Sequence, residues 1–270
     1  FDYIKKFGFG TKTGVDLNGE GSGIIFNLDK VGNVELATTA FGQGVSVTPI
    51  QQITAVSAAI NGGYLYKPYI VKSLNEPETN TVVQENNKQI VRKVISEETS
   101  EKVRYALESV VSNGTGRPAY IDGYRVGGKT GTAQKVKDGR YMVGNYIVSF
   151  IGFLPADDPQ VIVYIAVDNA KGVTQYGGTI AAPIAKTILS DAITALNIDK
   201  RSGSTEKKYN YNDKKYIDVA NVVGMNKNDA IKNLKSFKVE YTGTGDTVTY
   251  QSPMAGERIL EGETVRLLLE

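Results

Sequence analysis

Apolar side chains recur at helical spacing in several segments, and this spacing predicts amphipathic helices. Three such helices are predicted: from Pro49 to about Ile60, from after Ser96 to Asn113-Gly114, and from about Ala181 to Leu196. Thr48 is a suitable N-cap for the first helix, and Pro49 fits its first helical position. The side chains expected to face inward are Ile53, Val56 and Ile60, then Val103, Ala106, Leu107, Val110 and Val111, and finally Ile184, Ile188, Leu189, Ile193 and Leu196.

Between the second and third helices the apolar pattern becomes that of strands. Three strands are predicted, over Tyr124 to Gln134, Tyr146 to Leu154 and Val161 to Asp168. Their connections contain Lys137-Asp138-Gly139 and Pro155-Ala156-Asp157-Asp158-Pro159, which are turn-like. These connections are too short and polar for crossover helices, so we expect antiparallel neighbours. The predicted fold class is therefore α+β, with an antiparallel sheet covered by helices.

A polar, lysine-rich stretch over residues 199–215 predicts a linker between two domains. After it comes a small α+β unit in which Asn226 can cap a short helix with Ala230, Ile231 and Leu234 inward. Strands are predicted around Lys238–Tyr241, Thr247–Gln251 and Thr264–Leu269. We therefore predict one domain over residues 1–198, a linker over 199–215 and a second domain over 216–270.

Composition removes several kinds of chemistry. The chain has no cysteine and no histidine, which excludes thiolate nucleophiles and Ser-His-Asp catalysis and argues against a zinc site. The net charge is +2 with scattered basic residues, so nucleic acid gains little support as a partner. No apolar run is long enough for a membrane-spanning helix. Phe1 to Phe7 has the pattern of a helix interior, so we expect the chain to be a fragment of a longer protein.

The segment from Gly123 to Thr130 matches the phosphate-loop pattern G-x-x-x-x-G-K-[ST]. Val161 to Asp168 also resembles an apolar strand whose aspartate holds magnesium in such proteins. A phosphate loop must open a helix, however. Gly131, Gly139 and two threonines follow Lys129 and disfavour a helix. Nucleotide binding is kept as an alternative but is not favoured.

The other interpretation places Lys129-Thr130-Gly131-Thr132 on an accessible strand. Lys129 would supply a positive charge, and Thr130 and Thr132 would present hydroxyls on one strand face. Gly131 between them would let a ligand backbone approach closely. Such a strand can pair with an extended peptide and bind its terminal carboxylate. The motif alone is also compatible with a second interpretation, in which it is only the glycine-rich start of a strand and has no function.

Wider segments carry a family resemblance. Gly127 to Gln134 resembles the third active-site motif of class B penicillin-binding proteins. Further segments that fit the family are Tyr3–Gly10, Gly14–Leu17, Ala37–Gly44, Val47–Gln51, Asn61–Gly63, Lys67-Pro68 and Val111–Gly116. The resemblance covers Phe1 to about Leu196. It implies a transpeptidase fold like that of the serine β-lactamases, a serine acyl-enzyme that cross-links peptidoglycan stem peptides, and binding of β-lactam antibiotics, with no cofactor.

The last unit resembles a PASTA domain, on Asn221-Val222-Val223-Gly224-Met225, Gln251, Pro253 and Val265 among others. One PASTA domain after such a transpeptidase resembles the stage V sporulation protein D type of spore-forming Gram-positive bacteria. For the PASTA-like unit, cell-wall glycopeptide binding and a spacer or docking role stay open; the spacer role is slightly favoured, because no cluster of aromatic and polar residues typical of a sugar site is present.

The resemblance implies roles for the motif residues. Lys129 would set the electrostatics for the substrate or β-lactam carboxylate, Thr130 and Thr132 would hydrogen-bond it, and the Thr132 backbone N–H would contribute to the oxyanion hole. Phe41-Gly42-Gln43-Gly44 either shapes the floor of the site or is a packed loop before a helix.

The family's Ser-x-x-Lys and Ser-x-Asn motifs are expected upstream of Phe1. Two segments match these motifs literally, Ser204-Thr205-Glu206-Lys207 and Ser73-Leu74-Asn75. Both are rejected by their order along the chain, since the first comes after the Lys-Thr-Gly strand and the second after Phe41-Gly42-Gln43-Gly44, whereas the family motifs come before these segments. We therefore expect the chain alone to be inactive. The resemblance implies a parent protein that an N-terminal transmembrane helix anchors at the outer face of the cell membrane. It also implies a membrane glycosyltransferase as the partner of that parent. A degenerate transpeptidase that only scaffolds a cell-wall complex is the alternative.

Overall fold

A computed structural model describes residues 1–137, 140–201, 214 and 216–270. The chain divides into two compact units, Phe1–Lys207 and Lys208–Glu270. Most of the linker predicted at 199–215, together with Ser204-Thr205-Glu206-Lys207, lies outside the described residues, and the domain boundaries stay a prediction.

The first unit mixes helices and short antiparallel sheets. Its helices are α1 (Asp2–Lys6), α2 (Asn33–Ala40), α3 (Pro49–Ile60), α4 (Glu97–Asn113) and α5 (Gly177–Ala195). Its strands are β1 (Tyr64–Tyr66), β2 (Ser73–Asn75), β3 (Val82–Glu85), β4 (Ile90–Lys93), β5 (Gly127–Lys137), β6 (Arg140–Leu154) and β7 (Val161–Asp168). Strands β5, β6 and β7 form an antiparallel sheet in that order, and β1–β4 and β2–β3 form antiparallel pairs. The predicted α+β class and antiparallel sheet are confirmed.

Helices α3 and α4 begin at the residues that the sequence indicates. The Thr48 hydroxyl accepts a hydrogen bond from the Gln51 amide at 3.2 Å, and the Gln51 side chain accepts one from the Thr48 amide at 2.9 Å. This reciprocal pair satisfies two amides that the first helical turn leaves free. Ser96 caps α4 with a single hydrogen bond, which its hydroxyl accepts from the Thr99 amide at 3.1 Å. Capping signals are local, and for this reason these boundaries could be predicted.

Helices cover both faces of the β5–β6–β7 sheet. On one face Phe150 and Leu154 pack with Leu189 of α5 in the largest apolar cluster of the unit. On the other face Phe153 packs with Ile60 of α3 and Leu107 of α4. Alternate residues of β6 therefore serve two different helical layers, as the two-residue period of a strand requires.

The inward face of α5 differs from the prediction. The helix begins at Gly177, before the predicted Ala181, and its buried face includes Ala181, Ala182 and Ala185. The larger Ile184, Ile188 and Leu196 are 42%, 40% and 53% exposed, so their predicted inward position is wrong. Small side chains let the helix approach a sheet face that is already filled by Phe150, and large ones would hold it away.

One inward position of α4 was also predicted wrongly. Ala106 is exposed, whereas Glu108 is buried with 1% of its surface exposed. The carboxylate of Glu108 is held by an arginine, described below, and this pairing explains why a charged residue can occupy the apolar face.

The β5–β6 hairpin is longer than predicted and starts later. Strand β5 begins at Gly127 rather than at Tyr124, because the Tyr124 amide is used in a turn with the Ile121 carbonyl at 3.2 Å. Strand β6 begins at Arg140, before the predicted Tyr146. The pairing continues through Val136 and Tyr141, and the connecting Asp138 and Gly139 lie outside the described residues. No prediction was made for α2 or for β1 to β4, which are short.

The second unit has its own apolar core. Its elements are β8 (Tyr216–Asp218), α6 (Lys227–Asn233), β9 (Lys238–Thr242), β10 (Val248–Ser252), β11 (Arg258–Leu260) and β12 (Thr264–Leu269). Asn226 caps α6 as predicted, accepting from the Asp229 amide at 3.0 Å. Strand β12 lies between β10 and β9, antiparallel to the first and parallel to the second. Ala230 and Leu234 are fully buried, but Ile231 is 37% exposed, which corrects its predicted inward position.

None of the helices in the described part of the chain combines the length and the apolar character needed to cross a bilayer.

Candidate active site

Strand β5 is an edge strand that carries the Lys-Thr-Gly-Thr motif. Within the described residues it pairs with β6 on one side only. Lys129 lies opposite Ile151, Gly131 opposite Ser149 and Thr132 opposite Val148. The sequence prediction of a strand here is confirmed, and with it the rejection of a phosphate loop, because no helix follows Lys129. Asp168 is paired with Lys135, whose ammonium lies 2.7 and 2.8 Å from the two carboxylate oxygens.

A cavity of about 580 Å³ borders this strand. It is lined by residues 128–133 of β5, by Ser149, Ile151 and Phe153 of β6, and by Tyr164 of β7. Across the sheet face, α3 and α4 contribute Val56, Ala59 and Leu107. The loop after α2 contributes Phe41, Gly42 and Gln43, so the structure places three of the four predicted floor residues in the same cavity as Lys129. The lining is mostly apolar, and its polar side chains include Lys129, Thr130 and Thr132 of β5.

Lys129 provides a positive charge at the rim of the cavity. Its side chain is exposed, and its ammonium donates to the neighbouring Thr130 carbonyl at 2.9 Å. Among the described residues no carboxylate forms a salt bridge with it, in contrast to Lys135 on the same strand. The charge of Lys129 is therefore available to an anion.

Thr130 and Thr132 lie on the strand face opposite to that of Lys129, toward the start of α5. The hydroxyl oxygens of Thr130 and Thr115 are 2.8 Å apart. The Thr132 hydroxyl accepts from the Gly177 amide, at the long distance of 3.4 Å. Thr115 and Gly177 were not predicted as neighbours of the motif, since neither carries a local signal for such a contact.

Glycines bring the first turn of α5 against β5. A Cβ atom on Gly177 would collide with the Ser149 carbonyl and would lie 2.6 Å from the Gly131 carbonyl. A Cβ atom on Gly131 would collide with the Ser149 hydroxyl. A side chain at Gly131 would therefore need the Ser149 hydroxyl to rotate away, so packing inside the protein favours the glycine of the motif. The positive end of the α5 dipole lies beside Thr132, where it favours an anion.

A buried ion pair holds the start of β5. The Arg125 guanidinium donates to both carboxylate oxygens of Glu108, at 3.1 Å and 2.8 Å. The hydrogen bond to Glu108 raises the pKa of Arg125. Arg125 also accepts from the Ala156 amide through its carbonyl, at 2.6 Å. This pair was not predicted from the sequence, although a single glutamate among apolar residues on the inner face of α4 was a usable signal.

The remaining candidate motifs lie elsewhere. Ser73-Leu74-Asn75 forms β2, where Leu74 is 52% exposed and pairs with Gln84 of β3, and none of the three lines the cavity beside Lys129. In the described ranges, no group of three or more acidic side chains is arranged to hold a metal ion. Strand β5 thus presents a cation on one face and, on the other, two hydroxyls beside a helix N-terminus.

Comparison with protein families gives two matches. The family described as penicillin binding protein transpeptidase domain matches residues 1–190, and the PASTA domain family matches residues 217–270.

Individual relatives agree with these matches. The chain is 58% identical over 269 residues to a Bacillus subtilis protein named stage V sporulation protein D, covering 100% of the chain and 42% of that protein. It is 32% identical over 199 residues to a probable peptidoglycan D,D-transpeptidase PenA of Neisseria meningitidis, covering 73% of the chain and 32% of that protein. The chain thus spans less than half the length of these relatives.

Solved structures show the same fold. Penicillin binding protein 3 of Mycobacterium tuberculosis, in complex with ampicillin, matches with a TM-score of 0.68 and 30% identity over 77% of the chain and 49% of that structure. Penicillin binding protein 2X of Streptococcus thermophilus matches with a TM-score of 0.63 and 24% identity over 100% of the chain and 40% of that structure, which supports the fold alone.

Proposed function

Because the chain belongs to the penicillin-binding protein transpeptidase family and carries a PASTA domain, we propose that it forms the carboxylate- and oxyanion-binding part of a peptidoglycan D,D-transpeptidase. The observation that carries the proposal is the position of Lys129-Thr130-Gly131-Thr132 on an edge strand beside a cavity of about 580 Å³. An edge strand offers unpaired backbone groups to an extended peptide, and the motif adds groups that bind the peptide's end.

The motif residues act on the two negative charges of the reaction. Lys129 attracts the terminal carboxylate of the stem peptide, or the carboxylate of a β-lactam that mimics it, because no acidic side chain of the described chain neutralises its ammonium. Thr130 and Thr132 hydrogen-bond the same carboxylate through their hydroxyls. The backbone N–H of Thr132 stabilises the oxyanion that develops at the carbonyl under attack. Gly131 keeps the strand accessible between them.

The nucleophile belongs to a part of the protein outside this sequence. A serine activated by a lysine three residues later needs a site in which that lysine loses part of its hydration. The two literal matches to the family motifs do not provide it, since Ser204 lies in the polar linker segment and Ser73 lies on the exposed β2. The 270-residue chain alone is then neither acylated nor able to cross-link, while the whole protein cross-links stem peptides through a serine acyl-enzyme.

We further propose that this transpeptidase acts in sporulation. The likeness to stage V sporulation protein D extends over the whole chain at 58% identity, and this supports synthesis of the spore cortex or septal wall. Because the proposed substrate is peptidoglycan, which lies outside the cell membrane, the active site in this proposal faces the extracytoplasmic side. We further propose a transmembrane anchor outside this sequence and a membrane glycosyltransferase as the partner that supplies glycan strands.

The PASTA domain acts as a spacer or docking module in this proposal. It follows a linker over residues 199–215, and the transpeptidase part ends at about residue 198. Its aromatic side chains include Tyr241, over whose ring the Lys227 ammonium lies 3.7 Å from the centroid. This cation–π contact stabilises the Lys227 ammonium within the domain, and it does not form a cluster of aromatic and polar side chains that would bind a sugar.

Labelling with a fluorescent penicillin tests the proposed function. In the intact transpeptidase that contains this chain, Lys129→Ala is expected to slow acylation by about a hundredfold, because one preorganised charge at the developing transition state is lost. Lys137→Ala is the control, since it removes an exposed charge from the end of the same strand. Acylation rates are measured by stopped reactions on gels; equal rates in wild type and Lys129→Ala would remove the proposed role of Lys129, and absence of labelling in wild type would refute the function.

A further inference from the structure

Thr115 reaches the substrate-binding motif from a different part of the fold. It lies in the exposed turn between α4 and β5, and its hydroxyl oxygen is 2.8 Å from that of Thr130. Either hydroxyl can donate across such a distance. This contact joins a residue outside the motif to one of the groups that the proposed function assigns to the carboxylate.

The backbone around Thr115 is fixed from two sides. The Gly114 and Gly116 amides both donate to the Val110 carbonyl at the end of α4, at 3.0 and 3.1 Å. At the start of α5, a Cβ atom on Gly178 would collide with the Thr115 carbonyl, so only a glycine allows the helix to lie this close. The Thr115 hydroxyl is therefore held against Thr130 by packing and does not depend on a flexible loop.

Hydrogen-bond chemistry decides the direction of donation once an anion is bound. A carboxylate only accepts hydrogen bonds, so Thr130 must use its single proton to bind one. The Thr130 oxygen is then free to accept, and Thr115 must be the donor. Thr132 has the corresponding arrangement, because its hydroxyl faces the Gly177 amide, which can only donate.

We propose that Thr115 is a positioning residue that donates to Thr130 and thereby directs the Thr130 proton toward the substrate carboxylate. The proposal rests on the proposed transpeptidase function and deepens it. Hydrogen bonds to charged groups are stronger when the donor is itself polarised by a further donor. Loss of the Thr115 hydroxyl thus weakens recognition of the carboxylate in particular, and leaves the reaction with a probe that lacks this charge nearly unchanged.

The test compares two probes on the intact transpeptidase that contains this chain. One probe is a fluorescent penicillin with its free carboxylate, and the other is the methyl ester of the same compound. Thr115→Val keeps the shape of the side chain and removes its hydroxyl, whereas Thr115→Ser keeps the hydroxyl. Thr187→Val is the control, since Thr187 is exposed on α5 and its hydroxyl donates within its own helix, to the Pro183 carbonyl at 3.3 Å.

We expect Thr115→Val to lower the second-order rate constant of acylation about fivefold to tenfold for the free carboxylate and less than about twofold for the ester. Thr115→Ser and Thr187→Val should keep the preference of the wild type. Equal losses for both probes would show that Thr115 only supports the strand, and unchanged rates would show that it has no role. Either result overturns the proposal.

Two further outcomes are also decisive. If Thr115→Ser loses the preference for the free carboxylate, the hydroxyl is not the group that matters and the proposal fails. If the wild type reacts with neither probe, the transpeptidase function itself fails, and the positioning role fails with it. Thermal unfolding of each variant checks folding, and Thr115→Ala takes the place of Thr115→Val in the same comparison if the valine variant does not fold.

Discussion

Arg125, four residues before Lys129 along the chain, holds a carboxylate that water barely reaches. The side chain of Glu108 is 2% exposed and that of Arg125 is 21% exposed. Taking these charges out of water is costly, and the two parallel hydrogen bonds offset that cost. The pair therefore fixes where α4 and the start of β5 meet, and through this the register at which the motif reaches the cavity.

Removing one partner of this pair is expected to be severe. Arg125→Ala leaves the Glu108 carboxylate buried without its main donor and should lower the free energy of unfolding by about 3–5 kcal/mol. Urea unfolding followed by circular dichroism measures this change, with Arg140→Ala, an exposed residue at the start of β6, as the control. The double variant Arg125→Met/Glu108→Leu should recover a large part of the loss, because no charge stays buried. A single variant as stable as the control would contradict the structural role of the pair.

At the scale of elements, an aspartate ties the N-terminal segment to the connection between β1 and β2. Both carboxylate oxygens of Asp16 accept backbone hydrogen bonds, from the Ile70 amide at 2.7 Å and the Val71 amide at 2.9 Å. These two bonds lower the pKa of Asp16 below its ordinary value of 3.8. The segment around Asp16 has no strand pairing of its own, so side-chain contacts of this kind set its position.

The lowered pKa of Asp16 predicts a pH dependence of stability. Since the folded state favours the ionised form, the contribution is present above pH 3.8 and is lost as the pH falls through the lower pKa of the folded state. Asp16→Asn keeps one acceptor oxygen and loses the charge. The melting temperature of wild type should exceed that of Asp16→Asn at pH 6, and the difference should shrink as the pH falls below 3.8 and through the lower pKa of the folded state. Asp191→Asn, on the exposed side of α5, is the control, and a difference that does not vary with pH would contradict the prediction.

At the scale of the whole molecule, each unit has an apolar core of its own. In the second unit Val219, Leu234, Val265 and Leu267 belong to one cluster of buried side chains. A domain of this size buries a modest fraction of its surface, so its stability depends on a few such residues. We expect residues 216–270 to fold when expressed alone.

Two adjacent leucines on β12 test this independence. Leu267 is 2% exposed and Leu268 is 38% exposed, because successive residues of a strand face opposite sides. In the isolated residues 216–270, Leu267→Ala should cost about 2–5 kcal/mol and abolish the cooperative urea transition, while Leu268→Ala should leave the transition in place. An isolated unit without any cooperative transition would contradict independent folding.

Calorimetric titration of the same folded unit with muropeptides is expected to give no saturable heat, as the spacer role requires.

Local signals in the sequence were sufficient for much of the fold. The caps at Thr48 and Asn226, the start of α4 after Ser96 and the strand over Thr264–Leu269 follow from neighbouring residues, and the structure confirms each. The glycines and threonines after Lys129 likewise indicated a strand where the phosphate-loop pattern required a helix. The resemblance to penicillin-binding transpeptidases rested on whole segments and is confirmed by the family matches.

The tertiary structure decided what depends on distant parts of the chain. Small residues face the sheet along α5 because Phe150 already fills the space, and this could not be read from the size of Ile184 or Ile188. The pairing of Glu108 with Arg125 and the contact of Thr115 with Thr130 join residues 17 and 15 positions apart. By itself the sequence determined where the capped helices begin and that a strand, and not a helix, contains Lys129, since these follow from local chemistry. Only the packed fold decided which hydroxyls, amides and charges stand beside Lys129-Thr130-Gly131-Thr132, since close approach depends on the volumes of side chains from separate elements.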